Sequence, residues 1–304
     1  MSDIKGTPTA DVEIDSALVR SLLEAQHPDL AHYSLELMGA GWDNTMFKLG
    51  DALVVRLPRR LAAANLIRHE QNWLPQIAHR LTLPAPVPIR IGQPSERYPW
   101  RWSVLPWIEG ETADQLAIKP AEADRFGLFL RSLHTLAPTN APRNPFRGVP
   151  LAARSRKTQP ILNKLARSTS LMTPRIKQLW QDALSAPAST EQRWLHGDLH
   201  PRNVLVNASA NNLGNTSANN GTISGIIDWG DMTSGDVATD LAAIWMLFPT
   251  KPAQHSALAR YGASQAEIKR GQGWAITFAA LLLETGLVDN PRNAAIGRSI
   301  LANL

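Results

Sequence analysis

Apolar residues Leu18, Leu22 and Leu23 recur at helical spacing just after the polar pair Asp15-Ser16, so the first element expected is a helix over about Asp15 to Gln26, capped by one of that pair. The pattern then shortens into three strands, Ser34 to Met38, Thr45 to Leu49 and Ala52 to Leu57. Gly39-Ala-Gly-Trp-Asp-Asn44 joins the first two, and Gly50-Asp51 makes a tight hairpin turn between the second and third. Helical spacing returns from Leu61 to about Arg80, interrupted by Pro75. A proline-rich connection, Leu83 to Pro88, leads to strands at Ile89–Gly92 and Trp100–Leu105. The pattern changes at Leu105-Pro-Trp-Ile-Glu-Gly110, where a hinge is expected. Beyond it the chain reads as helices over about Ala121–Leu136, Pro160–Arg167 and Thr173–Ser185, with several more after Asp240. One hairpin breaks the helical run. Its apolar arms are Asn203–Val206 and Ile223–Ile227, and its long connection, Asn207 to Thr222, is rich in Asn and Ser and is expected to be a mobile loop. The fold class is therefore α+β, with a β-rich first lobe, 1–105, carrying one main helix, and a larger, mostly helical second lobe, 106–304.

Composition narrows the class without naming an activity. A chain of 304 residues with 44% hydrophobic and 19% charged residues can bury a sizeable core. Its longest apolar run, Trp274 to Leu283, is too short to cross a bilayer and ends at Glu284, so it reads as a buried helix and no membrane partner is expected. The opening residues lack the basic start and apolar centre of a signal peptide. There is no cysteine, hence neither a disulfide framework nor a thiolate metal site, and a cytoplasmic location is expected. The formal charge is +5, but the basic residues are dispersed; Arg56, Arg59 and Arg60 form one small group and no block of five or six like charges occurs. That spread argues against a nucleic-acid partner and is compatible with a polyphosphate ligand.

Chemistry concentrates in Leu195-His-Gly-Asp-Leu-His-Pro-Arg-Asn-Val-Leu-Val206 and, further on, Ile226-Ile-Asp-Trp-Gly230. Phosphoryl transfer needs a carboxylate to orient the attacking hydroxyl, oxygen ligands for Mg²⁺ and cations on the phosphates. Asp198 and Asn203 stand at the D-x-x-x-x-N spacing of a kinase catalytic loop, and Asp228-Trp-Gly230 fills the place of a D-F-G turn. Each motif alone is commonplace. In this order, each beside an apolar strand, they point to a kinase site, with Asn203 and Asp228 meeting at one end of the hairpin. Upstream, Gly39 and Gly41 suit a phosphate-covering loop, and Asn44 takes the place of a third glycine because asparagine tolerates left-handed backbone. Arg56, in Val54-Val-Arg-Leu57, occupies the third-strand place of the phosphate-binding lysine, and Glu70 on the following helix is its expected partner.

These segments resemble the aminoglycoside phosphotransferase family, the kinase-like group that includes macrolide and choline kinases, with macrolide-kinase-like members nearest in character. The resemblance rests on His196 to Asn203, Ile227 to Asp231, Gly235 to Leu241, Gly41 to Thr45, Val55 to Arg60 and Trp107 to Gly110, and so covers most of the chain. It implies a protein-kinase-like bilobal fold, residues 1–105 binding nucleotide and 106–304 carrying catalysis and the acceptor. It further implies Asp198 as catalytic base, Asn203 and Asp228 as Mg²⁺ ligands, and ATP or GTP beneath Gly39–Asn44 with its base edge on backbone near Leu105 and Trp107. His200 is expected to orient the loop or to serve structurally, Asp231 to support the metal site, and Asp240 to anchor loop backbone at the start of the helix that follows. Trp42 and Trp107 are candidates to line the nucleotide site.

Two rivals stand beside this function. His196, Asp198, His200 and Asp228 could form the His/carboxylate metal site of a hydrolase, and Arg56 in a lysine's place suits a nucleotide-binding module without catalysis. The acceptor is a small molecule with a hydroxyl group; the oligomeric state stays open. The 137–190 segment, which should help shape the acceptor pocket, holds Arg143, Arg147, Arg154, Arg156, Lys157, Lys164 and Arg167 against Asp182. That balance favours a neutral or anionic acceptor over a polycationic aminoglycoside, unless those cations are simply a solvated surface.

Overall fold

A computed structural model describes residues 9–208 and 221–304. Most of the Asn207–Thr222 connection therefore lies outside the described residues. The chain divides into two compact units, one of Met1–His79 with Pro84–Glu109, the other of Arg80–Leu83 with Gly110–Leu304.

The first unit begins with helix α1, Ser16–Gln26, whose start is fixed by Asp15 accepting the Leu18 N–H at 2.7 Å. Strands β1 (Leu35–Ala40), β2 (Asn44–Leu49) and β3 (Leu53–Pro58) follow, then helix α2 (Leu61–Ile77), β4 (Arg90–Gly92) and β5 (Trp102–Pro106). They form a five-stranded antiparallel sheet in the order β1-β2-β3-β5-β4. Burial alternates along β2, with Thr45, Phe47 and Leu49 inward, as a strand covered on one face should show. Leu18, Val19, Leu22 and Leu23 of α1 join Phe47, Leu49, Val55, Leu57, Tyr98, Trp102 and Val104 in one apolar core. Each large side chain so buried contributes roughly 1.5–3 kcal/mol. Helices α1 and α2 are both present as the spacing predicts, and α2 continues through Pro75 before tightening into a 3₁₀ turn at Ala78–Arg80.

The second unit opens with β6 (Glu111–Thr112), then helices α3 (Glu122–Leu133), α4 (Leu151–Ser168) and α5 (Pro174–Ser185). Helix α4 begins nine residues before the expected Pro160, which lies inside it on the exposed side; Pro150 precedes its true start. Strand β7 (Arg193–Leu195) comes next, then β8 (Val204–Ala208), β9 (Gly221–Ile226) and β10 (Thr233–Gly235). Strands β6, β8 and β9 form one antiparallel sheet, and β7 pairs with β10. Helices α6 (Ala238–Leu241), α7 (Ala243–Leu247), α8 (Lys251–Tyr261), α9 (Gln265–Gly286) and α10 (Pro291–Asn303) complete the unit. Helix α9 starts at a capping box of Ser264 and Glu267, and its apolar stretch from Trp274 to Ala280 is buried, as the sequence pattern requires. Among the described residues no helix is long and apolar enough to cross a membrane.

Candidate active site

The β8–β9 hairpin sets the site. Its open end continues past Val204 and Ile226 so that the Ile227 N–H donates to Asn203 O at 2.9 Å, which brings Asp228 beside the Asn203 turn. Asp228 has φ 60° and ψ 67° and is, among the described residues, the only non-glycine with positive φ. A side chain in that left-handed region costs roughly 1–3 kcal/mol, and such strain concentrates at functional sites. Trp229 then turns inward, fully buried, its indole N–H donating to Ile226 O at 2.9 Å. With the tryptophan anchored, the Asp228 carboxylate is left on the exposed side.

Asp198 and Asn203 belong to one short turn, in which the His200 N–H donates to Asp198 O and the Asn203 N–H to His200 O, both at 2.9 Å. The Asn203 amide donates to Asp198 O at 2.9 Å, which directs its Nδ2 to the protein and leaves its oxygen as the available ligand atom. Gly197, just before Asp198, has φ 87°, and a Cβ there would stand 2.4 Å from Asp231 O. Only glycine lets the loop that carries Asp198 close onto the Asp228–Asp231 turn.

The histidines both serve the loop. His196 Nδ1 accepts the Asp198 N–H at 3.2 Å, so its Nε2 carries the proton toward Ile227 O, 3.0 Å away. His200 Nδ1 accepts the Arg202 N–H at 3.2 Å, and its Nε2 faces Asp198 Oδ2 at 3.4 Å. Neither ring is left over for a metal. Among the described residues no three His, Cys, Asp or Glu side chains gather as a metal site.

Two further participants, Arg147 in this role and His134, were not predicted, and Asp240 anchors a different stretch of backbone from the one expected. Arg147, counted above only as one basic residue of its segment, donates to Asp198 Oδ1 at 2.8 Å and lies over the Phe278 ring at 4.9 Å. Asp240 is fully buried in α6 and accepts the His196 N–H at 2.7 Å and the Gly197 N–H at 2.9 Å. It thus anchors backbone, but that of the loop before Asp198 rather than of its own helix. His134 Nε2 lies 3.3 Å from Asp240 and its Nδ1 lies 3.0 Å from the Tyr261 hydroxyl, which makes a buried chain from α3 and α8 to the loop.

Burial raises the Asp198 carboxyl, but the Arg147 charge and then His200 outweigh it and hold the group well below the usual carboxylate range. Asp231 behaves oppositely. Burial and then the Asp198 charge push it up to about 7, with Asp228 adding to the effect against Arg147 and a hydrogen bond from Asn144. Asp198, Asp228 and Asp231 thus concentrate negative charge at one spot.

In the first unit, Arg56 and Glu70 form an ion pair, 5% and 0% exposed at their side chains. The Gly39–Asn44 segment is shorter as a loop than expected. Gly39, with φ 141°, sits at a bulge in β1, and the Gly41 N–H donates to Asn44 O at 2.8 Å. Asn44 starts β2 opposite Pro58 without positive φ, so it does not use the left-handed tolerance expected of it. Arg59 donates to Gly41 O at 2.9 Å, and Arg60 pairs with Asp43. Leu105 is buried in β5. The Trp107 N–H donates to Ala52 O at 2.7 Å, so that backbone donor is committed inside the sheet, while its ring lies beneath the Lys48 ammonium. Trp42, 43% exposed, leaves its ring free at the hairpin tip.

An antiparallel five-stranded unit followed by a helical unit that presents this loop and turn defines a kinase-like phosphotransferase. The chain belongs to the phosphotransferase enzyme family, whose profile matches residues 34–275. Its fold is similar to that of aminoglycoside 2'-phosphotransferase-IIIa, solved as a GDP complex, at 17% identity and TM-score 0.69 over 95% of this chain and 99% of that one. It is also similar to the macrolide 2'-phosphotransferase MphH from Brachybacterium faecium, at 17% identity and TM-score 0.57 over 94% and 98%. A macrolide 2'-phosphotransferase type I aligns at 20% identity and TM-score 0.58, covering 95% of this chain and 97% of that one. No curated protein matches the chain in sequence.

Proposed function

We propose that this protein is a cytoplasmic small-molecule kinase that transfers the γ-phosphoryl group of ATP or GTP to an alcohol, with Asp198 as the residue that orients the hydroxyl. The observation that carries this is that the Asp198–Asn203 turn and the Asp228 turn lie side by side, joined by the Asn203 amide on Asp198 O and the Ile227 N–H on Asn203 O. The acceptor oxygen forms a bond to the γ-phosphorus as the bond to the bridging oxygen breaks and the nucleoside diphosphate leaves. Because the transition state is loose, the protein's work is positioning and charge stabilisation. Asp198 suits that role, since it is ionised throughout the neutral range. It accepts a hydrogen bond from the hydroxyl and aims it, and takes the hydroxyl proton late, as the new O–P bond forms.

Arg56, steadied by Glu70, is assigned to the phosphates, with Gly39, Gly41 and Asn44 covering them. The residues around Leu105 and Trp107 are assigned to the base. Asp231 and His200 act as supports, the first beside the metal ligands and the second on Asp198. The Asn203 oxygen and the Asp228 carboxylate fit Mg²⁺, which prefers oxygen ligands and would relieve the negative charge that lifts Asp231. When bound, the ion neutralises charge on the β- and γ-phosphates. The domain roles follow, with residues 1–105 for nucleotide and 106–304 for catalysis and acceptor.

The test is nucleotide consumption coupled to a screen of hydroxylated compounds. Asp198→Ala should lower kcat by a factor of about 100 or more, and Asp228→Ala should weaken Mg²⁺–nucleotide binding, whereas Asp198→Asn should leave that binding intact. Equal effects of Asp198→Asn and Asp228→Ala on binding would contradict the division of labour.

A further inference from the structure

Arg154 lies on the buried face of α4, in line with Leu151, Thr158, Ile161, Leu162 and Leu165. Among the described residues three arginines are buried to this degree: Arg56, Arg154 and Arg270. Arg56 meets Glu70, and Arg270 holds Asp236 through two N–H groups at 2.7 and 3.1 Å. Arg154 is only 6% exposed, yet its guanidinium has neither a carboxylate nor a hydrogen-bond acceptor among the described residues, and its Nε is enclosed without a partner. A buried guanidinium without an anion is costly, and an anion bound beside it would relieve that cost.

Its surroundings lack negative charge. The Phe146 ring lies beneath both the Arg154 guanidinium at 5.7 Å and the Lys157 ammonium at 4.8 Å. Burial, then the Arg147 charge, push the Arg154 pKa down, so a second guanidinium repels the first. The first turn of α4 carries no acidic residue and no side-chain cap. Phe146 is 44% exposed and Lys157 is exposed, so the cluster opens to solvent. Its other end is chemical: Arg147, the residue after Phe146, donates to Asp198.

We propose that Arg154 and Lys157, above Phe146, form an anion subsite that holds a carboxylate or phosphate of the acceptor, making the substrate a hydroxylated acid or a phosphate ester. This rests on Asp198 being the residue that aims the acceptor hydroxyl. Arg147 then joins the two ends, with one N–H on Asp198 and its charge toward the bound anion.

The experiment has two arms on the full-length enzyme. In the first, matched trios of neutral alcohol, carboxylate and phosphate ester (glycerol, glycerate and glycerol phosphate; glucose, gluconate and glucose phosphate) are assayed for Mg²⁺-dependent nucleotide consumption. Anionic members should be favoured at least tenfold in kcat/KM, with Arg154→Met raising their KM at least tenfold; the preferred trio member tells carboxylate from phosphate. In the second, the enzyme saturated with Mg²⁺–ADP is melted in increasing inorganic phosphate at ionic strength fixed with chloride. Phosphate should raise the Tm of the wild type by several degrees and leave that of Arg154→Met unmoved. Without phosphate, Arg154→Met should melt at or above the wild type, because it deletes an unpaired buried charge. A preference for neutral or cationic alcohols, with KM indifferent to Arg154→Met, overturns the subsite and leaves the kinase assignment intact. If no acceptor is phosphorylated and Asp198→Ala changes nothing, the kinase assignment fails and the melting arm alone decides. There, an equal phosphate response in both proteins, or an Arg154→Met that melts well below wild type, refutes the subsite.

Discussion

Asp240→Ala tests whether the loop that carries Asp198 is held from behind. The carboxylate is fully buried and accepts three groups: the His196 N–H at 2.7 Å, the Gly197 N–H at 2.9 Å and His134 Nε2 at 3.3 Å. Removing it leaves donors facing a void that bulk water does not reach. Each orphaned buried group costs about 1–3 kcal/mol, and partial relaxation brings the expected sum to about 3–5 kcal/mol. That is a large share of the roughly 5–15 kcal/mol by which domains are stable. Asp240→Asn keeps shape and one oxygen but turns an NH₂ toward a donor, so a loss of about 2 kcal/mol is expected.

Urea unfolding followed by tryptophan fluorescence reads the stability. Turnover measured well below the unfolding midpoint reads the loop, and a shift of Asp198 by an ångström is expected to lower kcat about 100-fold. A double-mutant cycle with His134→Phe should show a coupling of about 0.5–3 kcal/mol, since the two groups share one network. If Asp240→Ala lost less than about 1 kcal/mol and kept its kcat, the carboxylate would not be what positions the loop, and the argument from its three donors would be wrong.

Gly197→Ala forces a Cβ to 2.4 Å from Asp231 O at φ 87°, so a loss of about 2 kcal/mol or more with a fall in kcat is expected, read by the same unfolding and turnover assays. Glu70→Leu strands the buried Arg56 charge and should cost about 3–5 kcal/mol, whereas Arg56→Met with Glu70→Leu should recover most of that stability without restoring nucleotide affinity. Burial raises the Asp114 carboxyl, but hydrogen bonds from Arg292 and Thr112 and the Arg292 charge leave it below the usual carboxylate range. A carboxyl depressed in the folded state adds stability above its unfolded pKa, and that stability is lost as pH falls through the folded value. Asp114→Asn should therefore weaken the protein at pH 7, match it at strongly acid pH and flatten the acid arm between. Because Arg292 is 41% exposed, the difference at pH 7 should be only about 1 kcal/mol in thermal or urea unfolding.

The parts of the site that the sequence displays are those made by neighbours in the chain. Asp198, Asn203 and Asp228 are legible because a five-residue spacing and a hairpin fix them locally. Arg147 and Asp240 reach the loop across 51 and 44 residues and His134 reaches Asp240 across 106, and a basic residue in a basic segment gives no sign of which carboxylate it will meet. The same limit hid β7 and β10. Each has three residues, too few for an alternation to show, and they exist because they pair with each other. In α4 the helix signal was attached to Pro160, whereas the chain uses Pro150; an exposed proline inside a helix reads, in sequence, like a start. The bulk pattern of strands and helices survived because periodicity reports which faces are buried, and burial decides those elements.

Arg147 changes what kind of residue Asp198 is. The motif alone suggests a base, but a carboxylate bonded to a guanidinium at 2.8 Å and faced by His200 is held in its ionised form and has little appetite for a proton before the reaction begins. Its two oxygens are also fixed in direction, one by Arg147 and the other by His200. Under the proposed function, a carboxylate so held acts through geometry, offering a remaining lone pair to the hydroxyl at a set angle. The neighbouring Asp231 is raised by its burial first and then by the Asp198 charge, against the pull of Arg147, so the two adjacent carboxyls are pushed in opposite directions. The anionic acceptor proposed above draws on the same arrangement, because the positive charge beside Asp198 continues through Arg147 to Arg154 and Lys157.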